Sequence, residues 1–257
     1  MSGVLSGRSA VVTGAGNGLG RAISLALASE GVAVGLLGRQ PEKLEAVAAE
    51  IADLGGEAFT IICDTSDPKS VDDARDALAE RSISILVNNA GVAGPVAPLT
   101  DIDPQEWDDV FAVNVRGTFL MCRAFLPPMI ARGAGDIINI ASVAAKRPLS
   151  GRTPYGASKA AVLGLTATLA VEVAPHGVAV NSLSPGPIAG PRMSRNFALE
   201  AARRGIPVEQ AEEEYVSRAA TRRMVTEEEV GAAVVAMLGM GGLCGADIDL
   251  TAGMIAR

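Results

Sequence analysis

Histidine and tryptophan each occur once in these 257 residues, and cysteine occurs three times. Cys63, Cys122 and Cys244 stand far apart, with no Cys-x-x-Cys pair and no cysteine beside the lone His176. The ligand spacing of a structural zinc site is therefore missing, and no metal site is expected. Three scattered thiols make no disulfide framework and fit a reducing compartment. Aromatic residues are 3% of the chain, so its core must be aliphatic. Such cores suit helices packed on buried parallel strands. Positive charge is in deficit: the net charge of −7 argues against nucleic acid or an anionic membrane as the main partner. Long apolar runs are lacking too. The longest, Ala160 to Val171, has 12 residues with two threonines among them, where a bilayer span takes about 20. The opening Met1-Ser2-Gly3-Val4-Leu5-Ser6-Gly7-Arg8 lacks the charged start and apolar core of a signal peptide. A soluble, cytoplasmic protein is the expectation.

What the chain does have is alternation. Ser9 to Thr13 reads as a short strand that ends in Gly14-Ala15-Gly16-Asn17-Gly18-Leu19-Gly20. A helical pattern from Arg21 to Glu30 follows, then a second strand, Val32 to Leu37. Glycines let the backbone approach a ligand closely, and a helix N-terminus offers unpaired N–H groups to a pyrophosphate. Further strands are expected at Phe59–Cys63, Ile83–Val87, Asp136–Ile140 and Val178–Leu183. Strands alternating with helices over short connections imply an α/β fold of one domain spanning 1–257. That fold is a Rossmann-type, doubly wound, mostly parallel sheet with helices on both faces. Ligands of such sheets bind beyond the carboxyl ends of the strands.

Tyr155-Gly156-Ala157-Ser158-Lys159 opens the apolar run that begins at Ala160. Four residues apart on a helix, the phenol of Tyr155 and the ammonium of Lys159 share a face. A fixed cation beside a phenol favours phenolate and makes an acid/base group usable near neutral pH. The uniformly small residues of Ala160 to Val171 fit burial on several sides.

Together, Thr13-Gly14-x-x-x-Gly18-x-Gly20, Asp64 after the third strand, Asn88-Asn89-Ala90-Gly91 after the fourth, Asn114, Ser142, Tyr155-x-x-x-Lys159 and Pro185-Gly186 resemble the short-chain dehydrogenase/reductase family in order and spacing. The resemblance spans essentially the whole chain. It implies an oxidoreductase that interconverts a secondary alcohol and a ketone by hydride transfer with a nicotinamide cofactor. It further implies Tyr155 as the proton donor and acceptor, and Ser142 as the hydrogen-bond partner of the same substrate oxygen. Lys159 would lower the Tyr155 pKa and hold the nicotinamide ribose, with Asn114 holding a water behind it. For the cofactor it implies Gly14, Asn17, Gly18, Leu19, Gly20, Arg39, Asp64, Asn88, Ala90, Gly91, Pro185, Gly186 and Ile188, besides Tyr155 and Lys159. Asn88 reads equally well as a structural brace behind the pocket.

At the end of the second strand, Leu37-Gly38-Arg39-Gln40 has glycine where an acid would take a ribose hydroxyl, with an arginine next. Arginine's planar fork suits a phosphate, which favours NADP(H). NAD(H) stays open if Arg39 only stacks on adenine. The threonine that the family often carries after Pro-Gly-Pro-Ile is absent from Ala189-Gly190-Pro191-Arg192. The charged segment at about 190–225, with helical patterning at Ser194–Arg204 and Val208–Arg218, corresponds to a lid over the substrate. Arg147 and Arg152 flank the approach to Tyr155, either as solvated surface charges or as partners of an anionic substrate group. The resemblance also implies a homotetramer or homodimer. A non-catalytic cofactor sensor is the alternative from another class, and it would be expected to have lost Tyr155 or Lys159.

Overall fold

The computed structural model describes residues 5–255. Seven strands form one sheet in the order β3-β2-β1-β4-β5-β6-β7, every pairing parallel. They are β1 (Ser9–Thr13), β2 (Ala33–Gly38), β3 (Ala58–Ile62), β4 (Ile83–Asn88), β5 (Gly135–Ile140), β6 (Val178–Pro185) and β7 (Asp247–Leu250). The order reverses between β1 and β4, which sets a crevice at their carboxyl ends.

Strand side chains point alternately to opposite faces, so a strand buried on both sides feeds two cores. Ala10 and Val12 of β1 and Ile85 and Val87 of β4 enter one core, while Val11 and Leu86 enter the other. The first core is closed by α1 (Gly18–Ser29), α2 (Pro41–Asp53) and α9 (Glu227–Leu238), through residues such as Ile23, Ile51 and Val234. The second is closed by α3 (Pro68–Ala77), α5 (Gly117–Arg132) and α6 (Thr153–Val173), through Val71, Met121, Phe125 and Ala170. The remaining helices are α4 (Pro104–Phe111), α7 (Pro191–Arg204) and α8 (Val208–Val216).

Two features differ from the sequence expectation. Helix α1 begins at Gly18, not Arg21, so the glycine turn runs straight into the helix. Strand β7 is an addition, hidden in the sequence because Asp247-Ile248-Asp249-Leu250 places a carboxylate at every second position. Those carboxylates are matched from outside the strand: Lys146 forms ion pairs with both Asp247 and Asp249, and Ser182 and Ser184 donate to Asp247. Within one copy of the chain, the small apolar run of α6 is buried on one side. Val162, Thr166 and Ala170 face inward, whereas Ala160, Gly164, Ala167 and Val171 lie on the exposed side. The stretch Thr153–His176 is long and apolar enough, by length and composition, to cross a membrane. It nevertheless packs along β6 and carries a buried lysine, as a core helix does.

Candidate active site

The carboxyl ends of the strands, the N-terminus of α6 and the α7–α8 segment enclose a cleft of about 1290 Å³. Among its lining residues are Gly14, Asn17, Gly18, Leu19, Gly20, Arg39, Asp64, Ala90, Gly91, Ser142, Tyr155, Lys159, Pro185, Gly186 and Ile188. Of the residues expected at the site, Asn88 and Asn114 do not line it.

The floor is the β1–α1 turn. Gly14 has φ +65°, and a Cβ on Gly20 would sit 2.1 Å from the Gly14 carbonyl oxygen. Only glycines allow this turn to close so tightly. Asn17 precedes the helix in extended conformation and makes no side-chain cap bond, so the first N–H groups of α1 stay open toward the cleft. Beside it, the buried Thr13 hydroxyl accepts the N–H groups of Asn89 and Ala90, both at 3.0 Å. The Asn89 side chain donates to the Thr13 carbonyl at 2.9 Å. Asn89, the second asparagine of the pair, is therefore the one on the cleft wall.

Asn88 lies behind that wall as a strut. It is buried, and its amide donates to Asn139 of β5 at 2.8 Å, while Asn139 donates to Thr166 of α6 at 2.9 Å. Its amide nitrogen is thus spent across the sheet, which fits the bracing reading. Asn114 is placed similarly. It sits in a wide π-helical turn, Ala112–Arg116, that swings its buried side chain toward the loop after β4. Its oxygen accepts the Val92 N–H at 2.8 Å, and its nitrogen donates to the Val92 carbonyl and to Ser158, both at 3.0 Å. It clamps that loop to α6 from behind Lys159.

Ser142 lies two residues beyond β5 and caps the short turn Val143–Ala145, its hydroxyl accepting the Ala144 N–H at 3.1 Å. Lys159 is 5% exposed and donates to the Ile140 carbonyl at 2.7 Å, which pins its ammonium beneath the strand end. That ammonium lies 5.9 Å from the centre of the Tyr155 ring.

At the far rim Arg39, 66% exposed, lies 3.8 Å from the Asp64 carboxylate. The Ser66 hydroxyl, chiefly, holds the Asp64 carboxyl below its ordinary value, aided by the Ser66 N–H and Arg39. Ile188 pairs with Val225 through the carbonyl of Pro187 and the N–H of Ala189. Ile188's own amide is thereby directed away from Val225. Glu227 also lines the cleft, its carboxyl pushed up by burial first and by Glu228 second. Sequence reasoning singles out neither Glu227 nor Asn89. The doubled asparagine of Asn88-Asn89 is a signal that either could face the ligand; for Glu227 there is none.

The α7–α8 segment closes the remaining side. Phe197 and Tyr215 meet edge to face at 5.6 Å, and Arg204 pairs with Glu214 at 2.7 Å, so the two helices form one unit. Among the described residues there is no cluster of three metal-ligating side chains.

A glycine-floored cleft at the switch point of a parallel sheet, with an open helix N-terminus and a lysine-paired tyrosine, defines a dinucleotide-dependent oxidoreductase. The family model for short chain dehydrogenases matches residues 8–202. The chain belongs to that family. It is 42% identical over 183 residues to D-threitol dehydrogenase of Mycolicibacterium smegmatis, covering 70% of each chain. Among solved structures it resembles NAD+-bound xylitol dehydrogenase, with TM-score 0.92, 31% identity and coverage of 97% and 100% of the two chains. It is equally similar in fold to a single-substitution variant of actinorhodin polyketide ketoreductase with NADPH, with TM-score 0.92, 29% identity and 98% of each chain covered. The protein is an oxidoreductase of alcohol and ketone groups that works with a nicotinamide cofactor.

Proposed function

We propose that the protein reduces a ketone to a secondary alcohol with NADPH, and runs the reverse with NADP+, using Tyr155, Ser142 and Lys159. The observation that carries this reading is the placement of Tyr155, Ser142 and the buried Lys159 on the wall of the cleft floored by the glycine turn. When bound, the nicotinamide supplies or accepts the hydride. The chain's residues do the rest. Tyr155 gives its phenolic proton to the carbonyl oxygen as negative charge develops there, and takes it back in alcohol oxidation. Ser142 donates a hydrogen bond to the same oxygen, stabilising that charge. Lys159 keeps the phenolate accessible and would hold the ribose hydroxyls of the bound cofactor. Asn114 acts by holding the Val92 loop and Ser158 in register behind Lys159.

The preference for NADP(H) rests on Arg39, whose exposed guanidinium stands on the rim next to Gly38, the residue in the place of an acid that would accept a ribose hydroxyl. Its fork suits a phosphate dianion, and Asp64 alongside holds it at the rim. NAD(H) is the alternative cofactor. The α7–α8 unit is a lid over the substrate. The exposed small face of α6, with the half-exposed Phe119 of α5, is where a second copy packs, giving a homodimer or homotetramer in the cytoplasm.

The test is a panel of ketones and secondary alcohols with both cofactors, followed by nicotinamide absorbance. Turnover should appear with NADPH and be weaker with NADH. Tyr155→Phe should lower turnover by at least about a thousandfold, through loss of the proton donor, and leave NADPH affinity nearly unchanged. An active Tyr155→Phe variant overturns the assignment.

A further inference from the structure

The lid half of the cleft is strongly cationic in a protein whose net charge is −7. Arg152, Arg195, Arg203, Arg204 and Arg218 line it, against two acids, Glu200 and Glu214. Both acids are committed: Glu200 pairs with Arg203 and Glu214 with Arg204, each at 2.7 Å. The surplus of positive charge gathers around the tyrosines. Arg218 lies 5.3 Å from the centre of the Tyr215 ring. Arg152, at the N-terminus of α6, donates to Asn196 of α7 at 3.2 Å and toward the Ala93 carbonyl at 3.5 Å. These contacts fix its guanidinium across the gap between α6 and the lid. Arg147 approaches from the segment after Ser142, donating to the Met254 carbonyl at 3.1 Å.

One side chain senses the convergence. The Tyr215 phenol is pushed up by burial, while Arg218, Arg147 and Arg152 pull the other way and the Tyr155 phenol is also within electrostatic reach. Arg152 and Arg218 line the cleft together with Tyr155 and Tyr215, and Arg147 is within electrostatic reach of the same phenol. More cations than carboxylates leave a positive field there, and a partly enclosed cleft screens that field less than open water. The cofactor's phosphates do not account for it. Those would be held beyond β1 and β2, by the open N-terminus of α1 and by Arg39.

We propose that the substrate carries an oxyanion, a carboxylate or phosphate, bound by Arg152 and Arg218 while its carbonyl meets Tyr155 and Ser142. The proposal rests on the oxidoreductase reading and narrows its substrate class. Arginine's planar fork accepts two oxygens of such a group at once. Binding it would also join α6 to the lid, since Arg152 lies on one side and Arg218 on the other.

The experiment compares matched ketones that differ at the far end: an uncharged group, a carboxylate or a phosphate ester. Initial rates are followed with NADPH and with NADH. The expected result is a kcat/KM at least about 100-fold higher for an anionic member than for its neutral partner. Whether the carboxylate or the phosphate wins identifies which oxyanion fits. Arg152→Gln and Arg218→Gln should each lower the anionic-to-neutral ratio by about tenfold or more, mainly through KM, and Arg152→Lys should restore part of it. Thermal unfolding and NADPH binding of each variant check that the fold is intact. A neutral ketone used as well as its anionic partners, or a ratio unmoved in both glutamine variants, overturns the proposal and leaves the oxidoreductase reading standing. A panel in which no ketone is reduced and no alcohol oxidised overturns both.

Discussion

Valine in place of Thr13 keeps the shape of the side chain and removes one oxygen. That oxygen accepts two backbone N–H groups, from Asn89 and Ala90, at 3.0 Å each, inside a buried site. Its own proton is directed at the Val87 carbonyl 3.4 Å away, a weaker contact. Leaving a buried donor without a partner costs about 1–3 kcal/mol. With two donors orphaned and some relaxation of the loop, Thr13→Val should destabilise the protein by about 2–4 kcal/mol. Measured as urea unfolding at fixed protein concentration, with a slope of roughly 3 kcal/mol/M for a chain this size, the midpoint should fall by about 1 M. NADPH affinity should fall with it, because the Asn89–Gly91 loop forms part of the cleft wall. Thr13→Ser keeps the acceptor and loses only a methyl group, so it should cost about 1 kcal/mol and bind cofactor normally. A Thr13→Val midpoint within about 0.2 M of the parent would refute the account of how this loop is held.

Three further outcomes are expected. Gly20→Ala places a methyl group 2.1 Å from the Gly14 carbonyl, so the turn must open; calorimetry should find cofactor binding lost, and unchanged affinity would contradict the geometry. The Glu229 carboxyl is held down to about 2, first by Arg223 and then by the Thr226 N–H. Its folded pKa lies below its unfolded one, so its contribution is present above about pH 4.5 and is lost as the pH falls through about 2. The Tm gap between the parent and Glu229→Gln should therefore narrow over that window, and a gap that widens on acidification would be the wrong sign. Burial pushes the Cys122 thiol up to about 12 and also raises Cys63, whereas Cys244 is exposed. An aromatic disulfide reagent should thus label one thiol quickly in the folded protein and three in urea; immediate reaction of all three would show the core to be open.

Much of the architecture is legible in the sequence because it is written locally. Five-residue apolar runs ending in glycine, asparagine or serine mark β1, β4 and β5, and the Tyr155–Lys159 spacing alone places two side chains on one helix face. What is not legible lies in pairings between distant residues. Asp247 and Asp249 look like surface charges until Lys146, about a hundred positions earlier, is brought to them. The same holds for Asn88, whose bracing role depends on Asn139 and Thr166 arriving from two other elements. The early start of α1 escapes for another reason: Gly18 and Gly20 are poor helix formers alone, and the close-packed turn overrides that propensity.

The attachment of Lys146 to β7 ties the Ser142 side of the cleft to the edge of the sheet. Lys146 lies four positions after Ser142, and both of its anionic anchors belong to β7, the edge strand. Removing both carboxylates would leave a largely buried ammonium without its ion partners. Damage at that distant edge would therefore be felt at the turn that carries Ser142.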